Sequence, residues 1–179
     1  MDNTTEKREA FNSFVLNPQN VHFESQQADE AVILILRAHP ATQIPWLINS
    51  FFMTILIVVL NFILPLVLTP SQILFVNIFG VAGLFAYMWY NFLLWFFNVG
   101  IITNERIVDI DFKSILFKEV TATKVEKVEE VTSKSGGYVG SLFNYGTVYV
   151  ETASNEINIE FERVPHPAQV VEIINNLVP

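Results

Sequence analysis

The sequence predicts a membrane-spanning hairpin of two α-helices, followed by a small antiparallel β domain that a C-terminal α-helix caps. Three observations predict it. Arg37 and Glu105 bracket sixty-seven residues that hold no Lys, Arg, Asp or Glu. From Val99 onward the chain turns to period-two alternation, the signature of half-buried strands. Near the end, Val170, Ile173, Ile174 and Leu177 fall at i, i+3, i+4 and i+7, one apolar face of a helix.

The first forty-three residues read as a cytoplasmic arm. Met1 to Asn20 is polar, with Lys7-Arg8 ahead of Phe11, Phe14 and Val15. Two readings stand for it: a frayed terminus or a short amphipathic turn on a membrane surface. Ala31 to Leu36 is a continuous apolar run of six residues rich in Val and Ile, which predicts a buried strand. It is too apolar for water and too short to span, so it is expected to dock on the β domain or along the base of the hairpin. Arg37-Ala38-His39-Pro40 leads into the hairpin.

Residues 44–99 form the predicted hairpin. Ile44–Leu68 and Ile73–Phe97 are 25 residues each, roughly 37 Å as helices, against a bilayer core of about 30 Å. Neither run has a polar face, as a helix of a water-soluble protein requires. Thr69 to Gln72 allows only a tight antiparallel connection, and Pro65 is expected to kink or end the first helix. Asn49, Asn61, Asn77 and Asn91 are costly against lipid, so they should face the partner helix or the interface, or else a second copy of the hairpin. Counted from the span ends, Asn61 and Asn77 lie at one depth and Asn49 and Asn91 at another. The spacing therefore predicts two interhelical amide pairs, with Gly80, Gly83 and Ala86 allowing close approach between them.

Orientation follows from charge. The hairpin tip holds no Lys or Arg, whereas Arg37, Arg106, Lys113 and Lys118 flank its base. Both termini are thus expected in the cytoplasm, in a multi-pass protein of the inner (plasma) membrane. Trp46, Trp89 and Trp95 gather at the same base, the depth that indole rings favour. Arg37, His39 and Arg106 join them as expected membrane-interface residues. The polar start and the length of the apolar runs argue against a cleavable signal peptide, so the first span should act as its own targeting signal.

Residues 100–179 form the predicted β domain. Val108, Ile110 and Phe112 alternate with Ile107, Asp109 and Asp111; Val148 and Val150 alternate with Thr147 and Tyr149; Glu156 to Glu162 is polar out and apolar in. Asn104-Glu105 and Ser154-Asn155 suit turns, and Ser135-Gly136-Gly137 marks a looser connection. Val125, Val128 and Val131 recur every three residues, which predicts a strand with a bulge over Lys124 to Val131. Pro165 and Pro167 bracket the start of the last helix.

Composition excludes several function classes. A net charge of −8 offers no basic stripe for nucleic acid. Without cysteine there is no disulfide, thiolate catalyst or thiolate metal site. His22, His39 and His166 have no second His at ligand spacing, and Gly136-Gly137 with Gly140 lacks the Lys of a phosphate loop. Acid pairs such as Glu129-Glu130 read as solvated strand faces. No catalytic residue, cofactor or metal is therefore expected, and the protein is read as no enzyme.

Several stretches resemble bacterial PH-domain membrane proteins of the YdbS-like type. Glu30 with Leu36-Arg37-Ala38-His39-Pro40 resembles that family's acidic residue and lead-in to a two-span hairpin. Ile102-Thr103-Asn104-Glu105-Arg106-Ile107 resembles its first hairpin, Val125 to Val131 the segment before its glycine turn, and Asn144-Tyr145-Gly146-Thr147-Val148 a later strand start. The resemblance runs from about Glu24 to Leu177. It implies a pleckstrin-homology-like sandwich or barrel capped by the terminal helix, tethered to a membrane. Phosphoinositide binding does not carry over. The Thr103–Arg106 loop sets one cation beside one acid, and residues 100–179 hold seven Lys/Arg against twelve Asp/Glu, whereas anionic leaflets attract basic segments. Two functions remain: a membrane-anchored interaction domain that recruits a protein or self-associates, and a lipid- or envelope-stress-sensing module at the inner leaflet.

Overall fold

The computed structural model describes residues 12–18, 26–27, 29–114, 117–152 and 158–178. Strands β1 (Phe14–Leu16) and β2 (Val32–Leu36) come first. Helices α1 (Ile44–Ile63) and α2 (Pro70–Phe97) follow. The chain then forms β3 (Val99–Thr103), β4 (Arg106–Ser114), β5 (Phe117–Lys124), β6 (Val128–Ser135), α3 (Gly137–Phe143), β7 (Tyr145–Thr152), β8 (Ile159–Pro165) and α4 (Pro167–Asn175).

The strands make two antiparallel sheets, one ordered β1-β2-β3-β4-β5 and the other β6-β7-β8. They pack as a sandwich, and barrel closure is not seen among the described strands. β2 pairs with β3 through Leu36↔Gly100 and Ile35↔Ile101. The sandwich therefore draws strands from both sides of the helical hairpin. β1 pairs with β2 through Phe14↔Leu36 and Val15↔Ile35, so part of the predicted polar arm is an edge strand. Its three residues, with Val15 buried, were too few to show a period in sequence. The earlier part of that arm, including Lys7, Arg8 and Phe11, lies outside the described residues, as do His22 and the Ser154-Asn155 turn.

The bulged strand expected over Lys124 to Val131 is present only in its second half: a 3-10 turn, Val125–Lys127, separates β5 from β6, and β6 then carries a register shift between Val128 and Glu130. That turn is the corner between the sheets. Val125 and Val128 are both buried there, and three residues per turn puts side chains at i and i+3 on one side. The period of three was the signature of the turn. A second difference is α3, which fills the connection that Gly136-Gly137 marked as loose.

Leu34, Leu36, Ile102, Ile107, Val148, Val150, Ile159, Phe161, Val170 and Ile174 form the core. Within α4, Val170 and Ile174 are fully buried; Ile173, and Leu177 in the turn just after the helix, pack on the core at its edge. The alternation read in β4 is incomplete, since Ile107 and Val108 are both buried. β4 lies inside a five-stranded sheet with little solvent on either face at that level.

α1 and α2 are long and apolar enough to cross a membrane. α1 ends at Ile63 and passes into a 3-10 turn, Leu64–Leu66, around Pro65, which cannot donate the next helical bond. The connection is shorter than the sequence implied. Pro70-Ser71-Gln72 is already the first turn of α2, and the Gln72 side chain accepts from the Thr69 amide at 2.9 Å.

Gly100 shows how closely the sheets approach. A Cβ built on it would lie 2.4 Å from the Phe161 ring, so the ring of one sheet rests directly on the β3 backbone of the other. Gly100→Ala is expected to destabilise the sandwich by about 1–3 kcal/mol through overpacking. Phe161→Leu should be less harmful in the Gly100→Ala background than alone. Chemical denaturation of the two single variants and the double variant in detergent checks this coupling.

Candidate functional site

β2 and β3 run side by side into the base of the helical hairpin, so the residues between strand and helix fasten the two parts together. The Trp95 indole donates to the Ala38 carbonyl at 2.8 Å. The Arg37 guanidinium lies over the Phe96 ring, 5.1 Å from its centroid, and the Arg37 amide donates to Ser13 O at 2.9 Å. The Asn98 side chain accepts from the Phe112 amide at 2.6 Å, and the Phe97 and Phe112 rings meet at 5.5 Å. His39 caps the 3-10 turn Pro40–Gln43, its Nδ1 accepting from the Ala41 amide at 3.0 Å. Its ring stacks on Tyr145 at 5.6 Å, and its amide donates to Arg163 O at 2.8 Å. Burial, with the charge of His166 nearby, lowers its basicity.

A cleft of about 210 Å³ opens at this junction, lined by Arg37, Asn98, Asp109, Asp111, Glu160 and Glu162 among others. Burial pushes the Arg37 guanidinium below its ordinary value. Burial pushes the Asp109 carboxyl up to about 7, helped by the Asp111 charge, a hydrogen bond shared with Asp111 and the Glu162 charge; the Ile110 amide acts the other way. The cleft can hold a proton near neutrality. Among the described residues no group of three His, Asp or Glu could hold a metal ion. Sequence reading missed this cleft because Glu160 and Glu162 read as a solvated strand face and Asp109 and Asp111 only as alternating positions of β4. Only the packing of β8 across the end of β4 brings Glu160 and Glu162 to them.

Arg106, expected at the hairpin base, lies away from it. β3 leaves α2 at Val99 and runs five residues away from it, so the β3–β4 turn is at the far end of the sheet. There Arg106 Nε and Nη2 donate to the two Glu30 carboxylate oxygens, both at 2.9 Å. The Glu30 side chain is 0% exposed. Its carboxylate also takes the Gln27 amide at 3.0 Å and lies 2.8 Å from the Thr103 hydroxyl. Burial alone would raise the Glu30 pKa, but hydrogen bonds from Arg106, Gln27 and Thr103, with the Arg106 charge, outweigh it and hold the carboxyl below its ordinary value.

The remaining expected residues divide. Asn61 and Asn77 form a reciprocal amide pair, each Nδ2 donating to the other Oδ1 at 2.7 Å. Asn49 and Asn91 do not pair. Asn91 donates to the Tyr87 carbonyl of its own helix at 2.8 Å, and Asn49 is exposed. Gly80 faces Ile57, 3.7 Å from where a Cβ would sit, whereas a Cβ at Gly83 meets nothing within 4 Å. Gly83 is thus not a contact glycine; the helices touch at Gly80. Trp46 donates to the Gln43 side chain at 2.7 Å. Trp89 is exposed and stacks on Phe85 at 6.1 Å.

A family model described as "Bacterial PH domain" matches residues 41–178, which takes in both apolar helices and the sandwich from β3 to α4. The chain belongs to the bacterial PH domain family. A solved structure of a DUF1696 family protein with a pleckstrin-homology domain, from Shewanella loihica PV-4, is similar at 13% identity with a TM-score of 0.36. That likeness covers 46% of this chain and 71% of the other. No curated protein matches the chain.

Two predictions concern this PH domain. Arg106→Met leaves the Glu30 carboxylate buried without its guanidinium and should cost about 3 kcal/mol, the lower end for a broken buried pair because Arg106 is itself partly exposed. Because the folded Glu30 pKa is depressed, its contribution is present above the ordinary carboxylate range and lost as pH falls through the folded value. Wild type should therefore lose its advantage over Arg106→Met in acid, as thermal melts at successive pH values will show. Asp109 carries the opposite sign. With a folded pKa raised from 3.8 to about 7, the folded state binds the extra proton, and stability falls as pH rises between those values. Asp109→Asn should raise the Tm relative to wild type at pH 8 and have least effect near pH 4.

Proposed function

We propose that this bacterial PH domain is a non-enzymatic, membrane-anchored module that presents its sandwich in the cytoplasm, to recruit a protein or to pair with a second copy. The observation that carries the reading is the surface of the helical hairpin. Phe62, Leu66 and Phe79 are 79%, 83% and 73% exposed, on all sides of the pair, while its one amide pair is turned inward. In water that surface would far exceed the few hundred Å² of apolar patch a soluble monomer exposes; in a bilayer it costs nothing.

The tryptophans around the hairpin base and the absence of Lys and Arg at its tip support a cytoplasmic sandwich. The two-span plan also agrees with the YdbS-like resemblance. Phosphoinositide recognition is not part of the proposal: the one cation of the first strand-to-strand loop, Arg106, is engaged by Glu30.

The full chain, expressed in bacterial cells, should resist alkaline extraction from membranes. Ser71→Cys should react with an impermeant maleimide from outside intact cells, and Glu129→Cys only after permeabilisation. Crosslinking with mass spectrometry in the same membranes should yield reproducible links from the sandwich to another protein or copy. Release by alkali sinks the anchored reading, and a sandwich without links beyond its own chain sinks the recruiting role.

A further inference from the structure

Helix α3 is built with its faces reversed for a helix in water. In projection Tyr138, Leu142, Val139 and Phe143 occupy one continuous stripe, and Gly140 lies opposite. Of the small residues, Gly140 packs inward. A Cβ at Gly140 would sit 2.9 Å from the Tyr145 carbonyl and 3.5 Å from Ser135 Oγ, so α3 rests its backbone on the ends of β6 and β7. The large apolar face points out: Tyr138 is 98% exposed, Leu142 79% and Val139 54%. Gly137 at φ 64° and Asn144 at φ 52° close the two ends of the helix.

Its place in the fold is specific. The Phe143 and Tyr145 rings lie 6.3 and 5.6 Å from the His39 ring. His39 directly precedes Pro40, where the turn into α1 begins. Its neighbour Ala38 is bound by Trp95, in the last turn of α2. The exposed face is therefore continuous with the hairpin base, at the level of its tryptophans. The chain around it is also cleared of charge, since the sixteen residues from Ser135 to Val150 contain no Lys, Arg, Asp or Glu.

We infer that α3 lies in the lipid interface beside the hairpin, with Tyr138, Val139 and Leu142 seated among headgroups and upper acyl chains. This rests on the membrane-anchored reading above. Two helices in a bilayer fix the sandwich only at one corner. A third contact, offset from them and rigidly joined to β6 and β7, fixes its tilt and so decides which sandwich faces a partner can reach. An apolar helix face of this kind penetrates about 5–10 Å, and Tyr suits that depth, with an apolar body and a hydroxyl that stays hydrated.

The cysteine-free chain permits a direct test. Full-length Tyr138→Cys, Leu142→Cys, Val81→Cys and Glu151→Cys variants are labelled with a nitrobenzoxadiazole dye and placed in vesicles of phosphatidylethanolamine and phosphatidylglycerol. Lipids carrying a nitroxide either near the headgroup or deep in the chain serve as quenchers. Blue-shifted emission at 138 and 142, quenched by the shallow nitroxide and not seen at 151, is the expected result. If the label at 81 is quenched by the deep nitroxide while 138 and 142 behave like 151, the inference fails and the anchored reading survives. Blue-shifted emission at 138 and 142 that no lipid quenches means that protein covers the face, which overturns the inference too. A label at 81 untouched by either lipid removes the anchored reading and the inference together.

Discussion

The pairing of β2 with β3 is the constraint on which the rest of the molecule depends. Leu36 opposes Gly100, so a sixty-three-residue excursion must leave and re-enter the sheet at adjacent strands. Paired strands lie about 4.8 Å apart, whereas packed helices lie about 8–10 Å apart. The chain cannot pass straight from one spacing to the other. On the α2 side it does so almost directly, with Asn98 alone between helix and strand. The offset falls on the other side, where residues 37–39 and the 3-10 turn Pro40–Gln43 step outward before α1 begins. That step explains why the fastening contacts concentrate there. His39 caps the turn, Trp95 holds Ala38, and Arg37 is folded back over Phe96.

The sheet is clamped at its other end by Glu30 and Arg106. The pair joins the segment before β2 to the turn after β3, the same two strands that root the helices. A buried ion pair contributes little net stability against its desolvation. Its geometry, with four hydrogen bonds meeting one carboxylate, two of them from the Arg106 guanidinium, instead fixes register. A one-residue slip of β2 would send Leu34 and Leu36 to the opposite face and leave Glu30 buried without a partner. The acids around Asp109 sit at the hairpin end, where packing of β8 on β4 forces like charges together. Burial and these like charges raise the Asp109 carboxyl to about 7, so proton uptake there offsets part of the repulsion as pH falls below that value.

Much of this plan was legible in the sequence because it rests on local periodicity. The uncharged stretch, the 3.6-residue period of α4 and the turn at Asn104-Glu105 each follow from residue order alone. The strand Val32–Leu36 could be recognised as apolar and β-branched, yet its partner could not, since pairing across sixty-three residues leaves no local mark. The same holds for Arg106. Its position near the hairpin in sequence pointed to the interface, and only the direction of β3 carries it away. Asp109 and the rest of the cleft depend on which strands face each other, which period-two alternation cannot state. The Val125–Val128 spacing was visible and only half read: a single 3-10 turn leaves the same three-residue period as an irregular strand, and here the turn is followed by a strand with its own register shift at Val128.

The amides of the hairpin show how depth counting succeeds and fails. Asn61 lies seventeen residues into α1, about 25 Å along its axis, and meets Asn77 as an antiparallel register requires. The same arithmetic put Asn49 opposite Asn91, and there the geometry differs. Depth fixes only one coordinate; facing requires the rotation of each helix as well. Gly80 at the contact and Gly83 outside it place the seam on the side of α2 that carries Asn77, three residues before Gly80. Near the base, where residues 37–43 spread the helices, Asn91 turns to the Tyr87 carbonyl of its own helix, a bond available at any rotation. The hairpin is thus pinned at two levels by different means, an amide pair toward the tip and strand pairing at the root. Between those levels the seam follows the side of α2 that carries Asn77 and Gly80.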